Sequence, residues 1–393
     1  MKKTVLIKEN EKENFKINES KLTFELESFP IIINSFPKRY SVSPINNYSD
    51  YLEIIENADF IIIDKKVKDI YELPEKNKNK IFSFEAIEAN KNMNTVLDLI
   101  NLFIENNISK GSKVIAIGGG IVQDIAACAC ALFRRGQPFT YFPTTTLGQL
   151  DSCVGAKCAV NTKLAKNILG LFSAPKEVKI PIFAIETMPA IDHRAGLSEM
   201  LRLCLTASQK ALNTYLDLLP YIINPKNLDK DKYASALRLS LSIKKSVVDF
   251  DEYEKDVRRS MNYGHTFGHA IEKLVNFKIP HGLGVLLGIH IANTFSFNKN
   301  FMSLELYNQI SNAIKNTLKD IGNDFLYLND IDPFDIIDQF KYDKKGDGKS
   351  VPLILIKKPG DMIFYKYSFD SKSDEIKNAI ESSISEFIKW SID

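Results

Sequence analysis

The sequence predicts an α/β fold plus a helical part: a doubly wound parallel sheet in the first half and a helical domain in the second. Three observations carry this. Between about residues 29 and 180, short apolar runs alternate with stretches of helical periodicity, as strands joined by helical crossovers do. From about Pro189 onward the pattern becomes predominantly helical. The length, 393 residues, exceeds what one hydrophobic core comfortably serves, so two domains are expected.

Taken in order, residues 1–27 are rich in Lys, Glu and Asn with weak periodicity, and read as an extension or edge hairpin. Residues 28–188 are the expected α/β domain. Phe60-Ile61-Ile62-Ile63-Asp64 is an unbroken apolar run ending in an acid, the mark of a strand buried on both faces. Asn94 to Asn106 has helical spacing. Lys113-Val114-Ile115-Ala116-Ile117 is a second buried strand, followed by Gly118-Gly119-Gly120 and a helix-like Asp124 to Phe133. Phe139-Thr140-Tyr141-Phe142 is a third strand, stopped by Pro143. Residues 189–393 are the expected helical domain, with helices near 196–205, 215–221, 234–249, 265–275 and 283–295. A β return at Val351 to Ile356 and an amphipathic helix over about 373–389 close the chain.

Bulk properties exclude several classes of function. Apolar residues at 45% and charged residues at 25% are ordinary for a globular chain. Lys and Arg total 51 against 49 Asp and Glu, so nothing favours nucleic acid or an anionic membrane as partner. The apolar run after Met1-Lys2-Lys3 is too short for a secretory signal, and no segment approaches a membrane span. The five Cys are odd in number and lack a C-x-x-C pair, which argues against a disulfide framework and a Cys-type zinc site. A reduced, cytoplasmic enzyme is expected.

The Gly118-Gly119-Gly120 turn lies between a strand and a helix, where glycines let backbone approach a pyrophosphate and the helix N-terminus favours its charge. It departs from the G-x-G-x-x-G spacing, so a tight βα turn explains it equally well. Asp64 either binds an adenosine ribose or caps the next turn. Of five His, three fall in two neighbouring segments: His265 and His269, four apart and so on one helical face, and His281. Two His and one carboxylate suffice for a catalytic zinc with an open position. Spacing leaves open which two, and whether these are capping and core His instead.

Read together, Gly118-Gly119-Gly120-x-x-x-Asp124, Arg135-Gly136, Pro143-Thr144-Thr145, Asp151-Ser152-x-Val154-Gly155-x-Lys157, Lys166-Asn167, Gly196-Leu197-x-Glu199 and Asn262-x-Gly264-His265-Thr266-Phe267-Gly268-His269 resemble the 3-dehydroquinate synthase family in order and spacing, over about residues 40–365. The resemblance implies a Rossmann-like NAD-binding domain and a zinc (or cobalt) ion held by Glu199, His265 and His281. It implies dinucleotide contacts from Asp64, Glu88, Lys91, Gly119, Gly120, Asp124, Thr144, Thr145, Lys157, Lys166 and Thr187. Asp151, Lys157, Lys166, Asn167, Lys244, Glu254, Arg258 and Asn262 match substrate-pocket positions, with Lys157, His269 and Asn262 donating to the phosphate. Arg135 matches a residue that reaches the neighbouring subunit's site, implying a homodimer, and Asp343-Lys344-Lys345 matches a substrate-binding run.

The implied chemistry is a sugar phosphate cyclisation. A hydroxyl of a heptulosonate 7-phosphate is oxidised by NAD, phosphate is eliminated, NADH restores the alcohol, and an intramolecular aldol step closes the ring. The sequence departs from the family pattern at three places. Arg202 stands where Lys is usual, Leu283 follows His281-Gly282 where Glu is usual, and Val154-Gly155-Ala156-Lys157-Cys158 replaces Gly-Gly-Lys-Thr. Arg202 is retained as a catalytic candidate. Lys244 and Arg258 match carboxylate-holding positions and favour a carboxylated substrate; sedoheptulose 7-phosphate, as for a 2-epi-5-epi-valiolone synthase, is the alternative. The rivals are a metal-dependent NAD polyol dehydrogenase and a binding protein that has lost turnover.

Overall fold

A computed structural model describes residues 12–17, 20–35, 38–45, 47–74, 77, 80–321, 325–340, 349–369 and 374–392. The chain divides into two compact units, Glu27–Met188 and Met1–Leu26 with Pro189–Asp393. The segment read as an extension contributes a hairpin, β1 (Lys12–Ile17) and β2 (Ser20–Glu25), to the second of these.

In the unit Glu27–Met188, the described strands are β3 (Ile31–Ile33), β4 (Tyr40–Ile45), β5 (Phe60–Asp64), β6 (Ile81–Phe84), β7 (Val114–Gly118), β8 (Phe139–Pro143), β9 (Lys157–Val160), β10 (Leu169–Phe172) and β11 (Glu177–Pro181). Seven form one sheet in the order β3-β4-β11-β8-β7-β5-β6, parallel except for the β3–β4 pair. Among its connections are α1 (Tyr48–Glu56), α2 (Lys65–Ile70), α3 (Met93–Glu105) and α4 (Gly120–Leu132). β7 is buried throughout and β5 at all but its last residue, which is why both read as unbroken apolar runs. Tyr51, Ile61, Ile63, Ile115, Ile117 and Phe142 pack as one cluster of this core. The remaining strands, β9 and β10, pair antiparallel as a separate hairpin.

In the other unit, α5 (Ala190–Ala207), α6 (Gln209–Ile222), α7 (Lys230–Phe250), α8 (His265–Leu274), α9 (His281–Asn298), α10 (Leu304–Leu318) and α11 (Pro333–Gln339) are followed by β12 (Ser350–Lys358), β13 (Asp361–Ser368) and α12 (Asp374–Ile392). The sheet here runs β12-β13-β1-β2, with the N-terminal strand β1 parallel to β13. Glu13 accepts from Ser208 at the start of α6 and pairs with Lys210 at 3.5 Å, fastening the hairpin. No described helix is long and apolar enough to cross a membrane.

α9 is the central helix, buried almost all round, and its polar residues His290, Asn293, Thr294 and Ser296 are buried with the apolar ones instead of forming a solvent face. Two of its glycines decide how close its neighbours come. A Cβ on Gly282 would lie 1.9 Å from Ala195 O of α5, and one on Gly288 would lie 2.0 Å from Gly264 O at the start of α8. Both obstacles are backbone, so neither relieves by a rotamer change. Gly282→Ala is therefore expected to destabilise the protein by about 1–3 kcal/mol or more, read as a lower denaturant midpoint. An unchanged midpoint would contradict this close approach.

Candidate active site and metal centre

The unit that contains α5, α8 and α9 brings Glu199, His265, His269 and His281 together. Glu199 sits on α5, His265 and His269 on the first two turns of α8, and His281 at the first position of α9. Glu199 Oε1 is 3.4 Å from His281 Nε2 and 3.7 Å from His265 Nε2. The rings of His265, His269 and His281 stand 5.3–5.5 Å apart, and one nitrogen from each falls within 4.8 Å of the others.

Whether these residues fit a metal is decided by Glu199. Its side chain is 1% exposed and Oε1 has no hydrogen-bond partner. A buried acceptor left without a donor is costly; Arg202 meets the other oxygen, so Oε1 is the atom left open toward the imidazoles and a cation. Two imidazole Nε2 atoms flank that oxygen, so oxygen and nitrogen donors of the kind zinc takes converge on one point. The donor set fits a divalent cation.

Around the donors lies a set of partners that spacing alone did not expose. His281 Nδ1 bonds Glu272 Oε1 at 2.9 Å, the carboxylate–imidazole pairing that orients a metal ligand. Burial disfavours the charged ring, yet the hydrogen bond and charge of Glu272, with the charge of Glu199, outweigh it and raise His281 to about 9. A metal must displace that proton, so its binding weakens as pH falls. Glu272 was absent from the expected site, although it lies seven residues after His265 and three after His269, on their helical face. Glu272→Ala is expected to lower metal affinity about 10–100-fold, measured by chelator competition; unchanged affinity would remove Glu272 from this role.

Three substrate-pocket candidates of this unit, Glu254, Arg258 and Asn262, lie in the segment between α7 and α8. Asp251 accepts from the backbone N–H groups of Lys255, Asp256 and Arg258 at 2.8–3.1 Å, folding residues 251–258 into a compact turn. Burial would raise its carboxyl, but those three donors and the Arg258 charge hold it below the usual range. Arg258 is 5% exposed, not a member of a solvated charge run, and its guanidinium donates to Glu252 O. Asn262 donates to Glu254, and Lys244 is buried on α7. Leu283 is fully buried within α9. The Asp343-Lys344-Lys345 run lies outside the described residues.

In the unit Glu27–Met188, the glycine turn forms the N-terminus of α4. Gly119 packs so that a Cβ would meet Thr145 Cγ2 at 2.9 Å, while a Cβ on Gly120 would enter open space. That arrangement exposes backbone N–H groups at a helix N-terminus and fits a pyrophosphate. Thr144 N donates to Gly118 O at 3.0 Å, holding the following loop beside the turn. Asp151 is buried in the turn Gly148–Ser152, and Gln123 Nε2 donates to Ser152 O at 2.9 Å, tying that turn to α4.

A second polar cluster joins the expected cofactor residues to one another. Lys91 Nζ contacts Asp124 Oδ2 at 2.5 Å and Asn167 Oδ1 at 2.7 Å. Glu88 Oε1 meets Lys166 Nζ at 3.5 Å and Asn161 Nδ2 at 2.8 Å. Burial keeps Asp124 above the ordinary carboxylate range even with Lys91 beside it. These bonds fix the β9–β10 hairpin, which begins with the exposed Lys157, against α4. Asp64 accepts from Lys66 N at 3.1 Å and so caps α2. Thr187 is exposed and bonds Tyr71 Oη at 3.2 Å, and Arg135 is exposed in the turn after α4 with φ of 62°.

The chain is similar to known proteins over most of its length. Residues 81–195 match the family described as 3-dehydroquinate synthase N-terminal, and residues 196–346 match 3-dehydroquinate synthase C-terminal. The 3-dehydroquinate synthase of Pelagibacter ubique is 30% identical over 362 residues, covering 87% of this chain and 95% of that protein. The bifunctional 3-dehydroquinate synthase/phosphatase of Fusobacterium nucleatum is 30% identical over 90% of this chain; the chain spans about half, 52%, of that relative. Among solved structures, 2-deoxy-scyllo-inosose synthase with carbaglucose-6-phosphate, NAD+ and Co2+ superposes with a TM-score of 0.73 at 22% identity, covering 90% of this chain and 99% of that one. The valiolone synthase ValA of Streptomyces hygroscopicus, with NAD+ and Zn2+, does so at 0.73 and 21% identity, covering 88% and 97%.

Proposed function

The chain belongs to the 3-dehydroquinate synthase family, and on that premise we propose that it is a sugar phosphate cyclase, a lyase that converts a heptulosonate 7-phosphate to a carbocycle and releases phosphate. The observation that carries this reading is the convergence of His265 and His281 on the unbonded Oε1 of the buried Glu199. Those three residues would hold the metal, zinc or cobalt, which supplies a Lewis acid for a substrate hydroxyl. The N-terminus of α4 with Thr144 and Thr145 would hold NAD, which supplies hydride acceptance and return with no net redox change.

The remaining roles follow from charge and hydrogen-bonding capacity. Lys157, His269 and Asn262 donate to the phosphate, stabilising it as a leaving group. Lys244 and Arg258, two buried cations, hold the substrate carboxylate, an end that a neutral heptulose would leave unmatched. Asp151 and Glu254 orient hydroxyls and Asn262 respectively. This division of labour is chiefly positioning and electrostatics. The active form is a homodimer in which Arg135 reaches the neighbouring subunit's site.

Phosphate release by the purified protein with NAD and zinc, assayed in parallel on 3-deoxy-arabino-heptulosonate 7-phosphate and sedoheptulose 7-phosphate, tests the reading. Release from the first alone is expected. Release from the second alone would keep the cyclisation but overturn the carboxylate roles of Lys244 and Arg258.

A further inference from the structure

We infer that Arg202 is a positioning residue for the metal ligand Glu199, acting through that carboxylate and not by touching substrate. The inference rests on the proposed metal site. Arg202 follows Glu199 by three residues on α5, and its side chain is 2% exposed. Nε donates to Glu199 Oε2, and Nη1 donates to Met261 O at 2.8 Å. Two consequences follow from one planar group.

First, Oε2 is engaged, so Glu199 presents only Oε1 toward His265 and His281. Second, the metal-bearing helix is tied to the Val257–Asn262 turn, which carries Arg258 and Asn262. A lysine ammonium at this position is a point charge on a flexible stem and does not reproduce a fork that is fixed in one plane. The Arg therefore sets both how Glu199 meets a cation and where the turn sits relative to it.

The test uses the full chain loaded with cobalt(II), comparing wild type with R202K and R202M. Both variants are expected to change the visible cobalt spectrum, because a released Oε2 alters the ligand field, with R202K nearer to wild type. Chelator competition is expected to move by about 10–100-fold for R202M, and kcat to fall with KM little changed. Helical circular dichroism and the denaturant midpoint of the metal-free protein serve as the check that each variant has folded; if R202M fails it, R202K alone decides. Spectra superimposable on wild type, or a large rise in KM without a spectral change, would overturn the assignment. A wild-type protein that takes up no cobalt would overturn the metal site itself and this inference with it.

Discussion

His265→Ala and His281→Ala are each expected to abolish metal retention and lower kcat/KM for phosphate release by about a thousandfold or more. The reasoning starts from Glu199, a buried carboxylate whose Oε1 has two imidazole nitrogens within 3.7 Å and no hydrogen bond. Removing either imidazole leaves too few donors to hold a catalytic ion with an open position. The lost Lewis acid is worth several kcal/mol, and each 1.36 kcal/mol is about tenfold in rate. His269→Ala provides the contrast. Although His269 lies in the same trio of rings, its assigned role is to the phosphate, so the variant should keep the metal and lose rate. Metal content by mass spectrometry and phosphate release decide the matter. A His265→Ala protein that retains one metal per chain and full activity would remove the metal centre from the account.

The second large effect concerns substrate choice. Arg258→Met and Lys244→Met are each expected to lower kcat/KM for the carboxylated heptulosonate by about ten- to a hundredfold. Hydrogen bonds to charged groups contribute about 1.5–3 kcal/mol, and both cations are at least nine-tenths buried, where competing water is scarce. Arg258 is already held by Glu252 O and by the turn around Asp251, so little ordering remains to be done when a carboxylate arrives. Turnover of sedoheptulose 7-phosphate, which has no carboxylate, should change much less, so the preference between the two substrates collapses. The double variant need not show the product of the single effects, because both groups would meet one anion. Equal losses on both substrates would show that the pair supports the fold or the phosphate end instead.

Much of this arrangement can be read in the sequence, and the limits have physical reasons. β5 and β7 announce themselves because burial on both faces demands an unbroken apolar run. α9 does so because a helix buried all round has no charged face. The pairing of β1 with β13 is different: it joins residues 16 and 361, and no local pattern encodes a partner that distant. Within the site, His265 and His269 are legible from their spacing, while Glu199 requires the family resemblance, because its role depends on α5 meeting α8 and α9. That meeting depends on Gly282 and Gly288, whose missing side chains are visible in the sequence but whose neighbours are not. Glu272 was within reach of a periodicity argument. The engagement of Arg202 with both Glu199 and Met261 O was not, since only the folded turn brings that carbonyl to it.

The central claim is a cyclisation in which redox change is internal to the cycle. The most direct measurement supplies NAD at a small fraction of the substrate concentration and follows inorganic phosphate and NADH absorbance together. The account predicts many phosphates released per NAD, with no net accumulation of NADH and a carbocyclic product. NADH accumulating in step with substrate consumed, with phosphate still esterified, would contradict it and identify the protein as a dehydrogenase.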